Sequence, residues 1–142
     1  MQTLFEEIAE LESQYFGKDS YDCPKLIQEF QTLHPNGKGI IFIQKKSDKA
    51  VLRYVVENEE LTVLSLISQD LILFRRLLLM FIAEASQIQF QNLHSRVDQK
   101  NEKAVRLNKK LGLKIIKRGK KYFYLQASRS ELEKIAQKIK KS

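Results

Sequence analysis

Two periods of apolar spacing alternate along this chain and divide it into elements. Residues 3–16 place Leu4, Ile8, Leu11 and Tyr15 at spacings of four, three and four, the stripe of a core-facing helix. A second helix is expected over 23–34, with Asp22 or Cys23 before it, Pro24 in its first turn and Leu26, Ile27, Phe30 and Leu33 on its apolar side. The turn residues His-Pro-Asn-Gly-Lys-Gly at 34–39 break that pattern. Three β-branched-rich runs follow, 39–45, 50–56 and 61–68, joined by links so short that an antiparallel meander is predicted. An apolar helix over roughly 69–86 carries Leu73, Leu77, Met80, Phe81 and Glu84, and its few polar positions imply burial against a sheet.

The period returns to two at 90–97, where Phe90, Asn92, His94 and Arg96 alternate with Gln91, Leu93, Ser95 and Val97. A basic amphipathic helix is predicted over 101–111, then two strands, 113–118 and 121–127, around Gly119. The closing helix begins at two overlapping capping boxes, Ser128-x-x-Glu131 and Ser130-x-x-Glu133, and turns Leu132, Ile135 and Ile139 inward. The order ααβββαβαββα predicts an α/β fold: one mixed sheet of about six strands with helices on both faces. The unit 61–97 should join parallel strands by a right-handed crossover.

Composition narrows the function classes. At 142 residues the chain is expected to be a single domain, 1–142. Its one cysteine, Cys23, excludes an internal disulfide framework, and His34 and His94 have no metal-site spacing. The acidic, helix-periodic start is unlike a signal peptide. The longest apolar run, Leu77–Ala83, is far short of the ~20 residues a bilayer requires. A cytoplasmic protein without a membrane partner is expected. Charge is uneven: residues 1–95 carry 9 Lys/Arg against 13 Asp/Glu, residues 96–142 carry 16 against 4, and the whole chain is +8. Such a basic C-terminal half either solubilises exposed faces or meets an anionic partner. No RNA- or DNA-binding signature accompanies it, so nucleic acid is not the partner expected from the sequence.

The helix 101–111 carries the most specific pattern. Asn101 and Asn108, seven residues apart, fall about 20° apart on a helical wheel, on the border of the apolar stripe. Both have plain structural roles open to them, Asn101 as a helix cap and Asn108 as a half-exposed amide; Gly112 suits a left-handed helix end.

The series Asn101-x-x-Ala104-x-x-Leu107-Asn108-x-x-Leu111-Gly112-Leu113, after a strand and before a hairpin, resembles the C-terminal signature of the GNAT superfamily of acyl-CoA-dependent N-acetyltransferases. The element order is similar too, apart from the family's first strand, and the resemblance covers about 3–130. It implies a protein, monomeric or homodimeric, that binds acetyl-CoA and transfers acetyl to a primary amine by direct attack.

Carried over onto this chain, the cofactor would meet Leu66, Ile67 and Ser68 at the end of one splayed strand, with Leu93, His94 and Ser95 across the gap. Ile72, Leu73, Phe74, Arg75 and Arg76 would lie at the pyrophosphate loop, and Asn101, Ala104, Leu107 and Asn108 along the basic helix. His94 would be the general base, its ordinary pKa of ~6.5 suiting that role, with Tyr122 and Tyr124 as alternative proton donors.

Two departures accompany the resemblance. Asn108 stands where the family carries a tyrosine that protonates the departing thiolate, and an amide has no proton of suitable pKa, although it can donate a hydrogen bond to sulfur or pantetheine. The loop aligned with the family's Gln/Arg-x-x-Gly-x-Gly/Ala begins at Gln69 but has Ile72 and Phe74 in place of both glycines, with Asp70 between. Glycine there lets backbone N–H groups approach phosphate without a Cβ in the way. The alternative is therefore a catalytically degenerate GNAT-fold binding module that turns its basic face toward an anionic partner.

Overall fold

The computed structural model describes residues 3–16 and 23–141. Its elements follow the predicted order: α1 (Leu4–Phe16), α2 (Cys23–Leu33), β1 (Ile40–Lys45), β2 (Asp48–Glu57), β3 (Glu60–Ser68), α3 (Leu71–Ala85), β4 (Asn92–Asp98), α4 (Glu102–Leu111), β5 (Lys114–Arg118), β6 (Tyr122–Ser128) and α5 (Arg129–Lys141). Asp22, one of the caps proposed for α2, lies outside the described residues. Among them no helix is long and apolar enough to cross a membrane.

All six strands form one sheet in the order β1-β2-β3-β4-β6-β5. The first three make the expected antiparallel meander, and β3 runs parallel to β4. The last hairpin folds back so that β6, not β5, pairs with β4 and leaves β5 at the edge.

Alternation along the strands sends two apolar sets to opposite faces. Leu52, Tyr54, Leu61, Leu93, Val97 and Leu125 join α3, α4 and α5 in the larger core. Val51 and Ile67 point the other way and bury Ile8, Leu11, Leu26 and Phe30 of α1 and α2. That second cluster takes its strand residues only from β1, β2 and β3. Several stripe residues depart from the sequence expectation: Leu4, Tyr15 and Leu33, at or near helix ends, are exposed, and so is Met80, which lies off the Leu73, Leu77, Phe81, Ala85 stripe that α3 buries.

A charge is enclosed beneath α1 and α2. Arg53 projects from β2 and donates to both carboxylate oxygens of Glu12, at 2.8 and 2.9 Å. Its guanidinium lies over the Phe30 ring and also donates to His34 Nε2 at 3.3 Å. His34 must then carry its proton on Nδ1, which donates to the Lys38 carbonyl at 2.9 Å. Burial, followed by the neighbouring Arg53 charge, pulls the His34 pKa below its ordinary value, against the opposing pull of the Lys38 carbonyl.

The C-terminal helix starts at the first of the two possible capping boxes. Ser128 N–H donates to Glu131 Oε1 at 3.0 Å and Glu131 N–H donates to Ser128 Oγ at 3.2 Å. Arg129 ties this start to the end of α3, donating to the Ile88 and Ser86 carbonyls. From there α5 runs back along α3 to its beginning, where Arg75 donates to the Ile139 carbonyl at 3.2 Å.

Candidate functional site

The centre of interest is the place where two parallel strands separate. Pairing between β3 and β4 spans only Glu60–Val63 and Asn92–Ser95. Beyond it β3 stays with β2, while Arg96, Val97 and Asp98 stay with β6. A bulge marks the divergence: Arg53 pairs with Ser65 and Tyr54 with Val63, which leaves Leu64 as the extra residue. An inserted residue bends its strand and resets the alternation. Val63 and Leu66, three apart, therefore both line the same cavity.

The splayed strands confirm a gap but correct what stands across it. Leu93, His94 and Ser95 belong to the closed part, opposite Leu61, Thr62 and Val63. Beyond the fork the residues are Arg96, Val97 and Asp98, because parallel pairing stops at Ser95. His94 faces away from the larger core, and its Nε2 lies 3.1 Å from Glu60 Oε2. Asn92 donates to the other oxygen of Glu60 at 3.2 Å, and this contact, with His94 behind it, holds the Glu60 carboxyl below the usual carboxylate range. Tyr122 and Tyr124 alternate with the buried Leu125 and Ala127 and share the outer face with His94. None of these three lines the cavity at the fork.

Of the residues assigned to the cofactor, Leu66, Phe74 and Asn108 do meet at the fork, around a cavity of about 60 Å³. Leu93 and Ser95, two of the three residues expected across the gap, are there as well. Ile67 is buried on the opposite face against α1 and α2, where strand alternation sends it. Leu73 is fully buried in the core beneath α3. Ile72 points outward and is 63 % exposed. Arg76 is exposed, and Arg75 is held by α5. Asn101 is the α4 cap, its Oδ1 accepting from Ala104 N–H at 3.2 Å. Asn108 Nδ2 donates back to the Ala104 carbonyl at 2.7 Å, and Ala104 packs on the core. Leu107 is within α4, its side chain outside the described residues.

The remaining wall of the cavity is α5, which sequence reasoning did not connect with the site. Leu132, Ile135 and Ile139 line it together with Val63, Leu66, Phe74 and Asn108. All three are nearly inaccessible to solvent, and Ile135 lies over Gly112 at the end of α4. The signal was present in the sequence as an amphipathic helix beyond the family-like segment. Its period gave its buried face but not what that face covers.

Acetyl-CoA, the cofactor this fold implies, does not fit the residues gathered here. A pyrophosphate at the start of α3 needs free N–H groups and no competing anion. Instead Asp70 Oδ1 occupies that helix end, accepting from Leu73 N–H at 2.7 Å, and Ser68 Oγ donates to the Asp70 carbonyl at 2.6 Å. Gln69 is drawn off to β2, where its Oε1 accepts from Lys49 N–H at 2.6 Å. The space between the forked strands and α4 is narrowed to about 60 Å³ and walled on one side by the leucine and isoleucine side chains of α5.

A six-stranded mixed sheet with a forked parallel pair, crossed by α3 and α4, is the GNAT fold. No family model matches the chain, and no curated protein does. Solved structures do match it. Ard1 from Thermoplasma volcanium superimposes with a TM-score of 0.69 at 15% identity, over 90% of this chain and 93% of that one. The spermidine N-acetyltransferase SpeG chimera from Vibrio cholerae and hSSAT gives 0.67 at 13%, over 92% of each. The PaiA N-acetyltransferase from Thermoplasma acidophilum, in complex with coenzyme A, gives 0.60 at 15%, over 78% and 74%. At such identities what is shared is the fold.

Proposed function

We propose that this chain is a GNAT-fold protein whose cofactor slot is taken by its own C-terminal helix, and that it works as a binding module with a basic face for an anionic partner. One observation carries this: Leu132, Ile135 and Ile139 of α5 line one cavity with Asn108, Phe74 and Leu66, where the resemblance would put acetyl-CoA. The glycine-free start of α3, capped by Asp70, supports the same conclusion independently.

Melting the protein with and without millimolar acetyl-CoA tests it. A ligand at ~100 times its dissociation constant adds about 2.7 kcal/mol, which for a chain of this size is a rise of roughly 8 °C. No rise is expected, and a rise of several degrees would overturn the proposal.

A second function is favoured by the fork itself, since β3 and β4 remain parted beyond Val63 and Ser95. It is N-acetyl transfer from acetyl-CoA to a primary amine, with α5 swung out of the slot. Release of free CoA thiol with a panel of primary amines, above that from heat-inactivated protein, would establish it.

A further inference from the structure

Among the described residues, helices α1 and α2 cover the outer face of the sheet only over β1, β2 and β3. Beyond them, the outer sides of β4, β6 and β5 carry rings and cations in contact. The Arg96 guanidinium lies 4.6 Å from the centre of the Tyr122 ring, with Lys121 Nζ 5.4 Å from the same ring. Lys117 Nζ lies 5.7 Å from the ring of Tyr124, itself 37 % exposed. The adjoining segment 114–121 has five cations and no carboxylate. The bordering acids are engaged: Asp98 Oδ1 accepts from Lys100 N–H at 2.9 Å, Glu60 accepts from Asn92, and Glu131 pairs with Lys114 at 3.6 Å.

We infer that this face is a platform for single-stranded nucleic acid, an inference that rests on the chain's being a binding module. Tyr122 and Tyr124, two residues apart on one strand, are separated by about 7 Å along it, a distance that successive unstacked nucleotides can span. Flat rings and a guanidinium plane give unpaired bases something to stack on, and the surrounding lysines and arginines meet the phosphates. A duplex keeps its base faces stacked inside the helix, so it would use the cations and leave the tyrosine rings without a stacking partner. An acidic peptide would use the cations and leave the rings idle. The absence of a linear nucleic-acid signature is consistent with this arrangement, because strand pairing brings Arg96 beside Tyr122 across 26 positions of sequence.

The test is fluorescence anisotropy with labelled oligouridylate about 12 nucleotides long, within the ~4–16 span of comparable sites. A duplex of equal length and poly-glutamate serve as competitors. The single strand should bind at least tenfold more tightly than the duplex. Its affinity should fall steeply between about 50 and 200 mM salt, and Lys117→Gln and Arg96→Gln should each lower the log–log salt slope by about 0.7. Tyr124→Leu should weaken binding roughly fivefold or more, the lower end of what one stacked base contributes, while Tyr124→Phe keeps it; both variants should melt like the parent.

Equal affinity for single strand and duplex, an unaffected Tyr124→Leu variant, or tighter binding of poly-glutamate would each overturn the inference. The acetyl-CoA melting experiment does not depend on this surface. A failure here therefore leaves the occupied slot standing, and a failure there does not alter the anisotropy result.

Discussion

If α5 is a permanent wall of the fork, removing one of its side chains must cost global stability. Ile135→Ala is the sharpest perturbation, because Ile135 is 4 % exposed and packs between the cavity and the backbone of Gly112. Ile→Ala removes the equivalent of about three methylenes, worth ~0.8 kcal/mol each in transfer from water, or about 2.4 kcal/mol. A cavity contribution adds to this, and here relaxation is limited: a void of about 60 Å³ already lies on one side, and helix backbone on the other. The total should be about 3–4 kcal/mol, within the ~2–5 kcal/mol spread of such substitutions. Urea unfolding followed by circular dichroism should then show a lower midpoint with an unchanged slope, and Tm should fall by roughly 10 °C. Ile135→Val, by contrast, should cost only about 0.5–1.5 kcal/mol. A loss below about 1 kcal/mol for Ile135→Ala, or a separate early transition at a reduced slope, would show α5 to be a loosely seated lid.

The charge enclosed on the other face makes two further predictions. Glu12→Gln leaves Arg53 buried without its counterion and should cost about 3–5 kcal/mol, whereas Glu12→Leu with Arg53→Met should recover most of that loss; urea titration of the three proteins checks it, and a cost below about 1 kcal/mol for Glu12→Gln would refute the burial argument. His34 has a folded pKa below its unfolded value, so the unfolded chain takes up the proton first as pH falls. Stability should accordingly be level above about pH 6.5 and decline below it, before the carboxylates titrate. Midpoints measured between neutral and mildly acid pH should slope in the parent and flatten in His34→Gln.

Much of this architecture was legible because each element has one strong local cause. The period-2 runs gave the strands, and the i, i+3, i+4 stripes the helices, in correct order. Asn101 and Gly112 both took the plain roles their residue types favour, helix cap and left-handed helix end. The pair of Arg53 and Glu12 went unread: Arg53 stands among apolar neighbours in AVLRYVV, but Glu12, 41 residues away, carries no corresponding mark. What could not be read were the non-local facts. Leu64 became a bulge only through its mismatch with β2, and where β3 and β4 part was set by pairing: Leu93 and Ser95 line the cavity at the fork, whereas His94 faces away from it. That α5 would wall the cavity at the fork follows from where β6 ends, which depends on β6, rather than β5, pairing with β4.

Three features at the fork depend on one another physically. Helix α3 begins with an uncompensated dipole and open N–H groups, which a bound pyrophosphate would satisfy. Here Asp70 supplies that negative charge from within the chain, at 2.7 Å from Leu73 N–H. Arg75, in the first turns of α3, donates to the last turn of α5 through the Ile139 carbonyl. With α5 held there, Ile135 and Ile139 cover an apolar cavity in which Asn108, turned onto the Ala104 carbonyl, needs no proton to give. A tyrosine in that position would bring a hydroxyl into apolar surroundings and require a partner. Asn108 satisfies its amide within its own helix, so the residue that looked like a lost proton donor is also the residue that a filled slot permits.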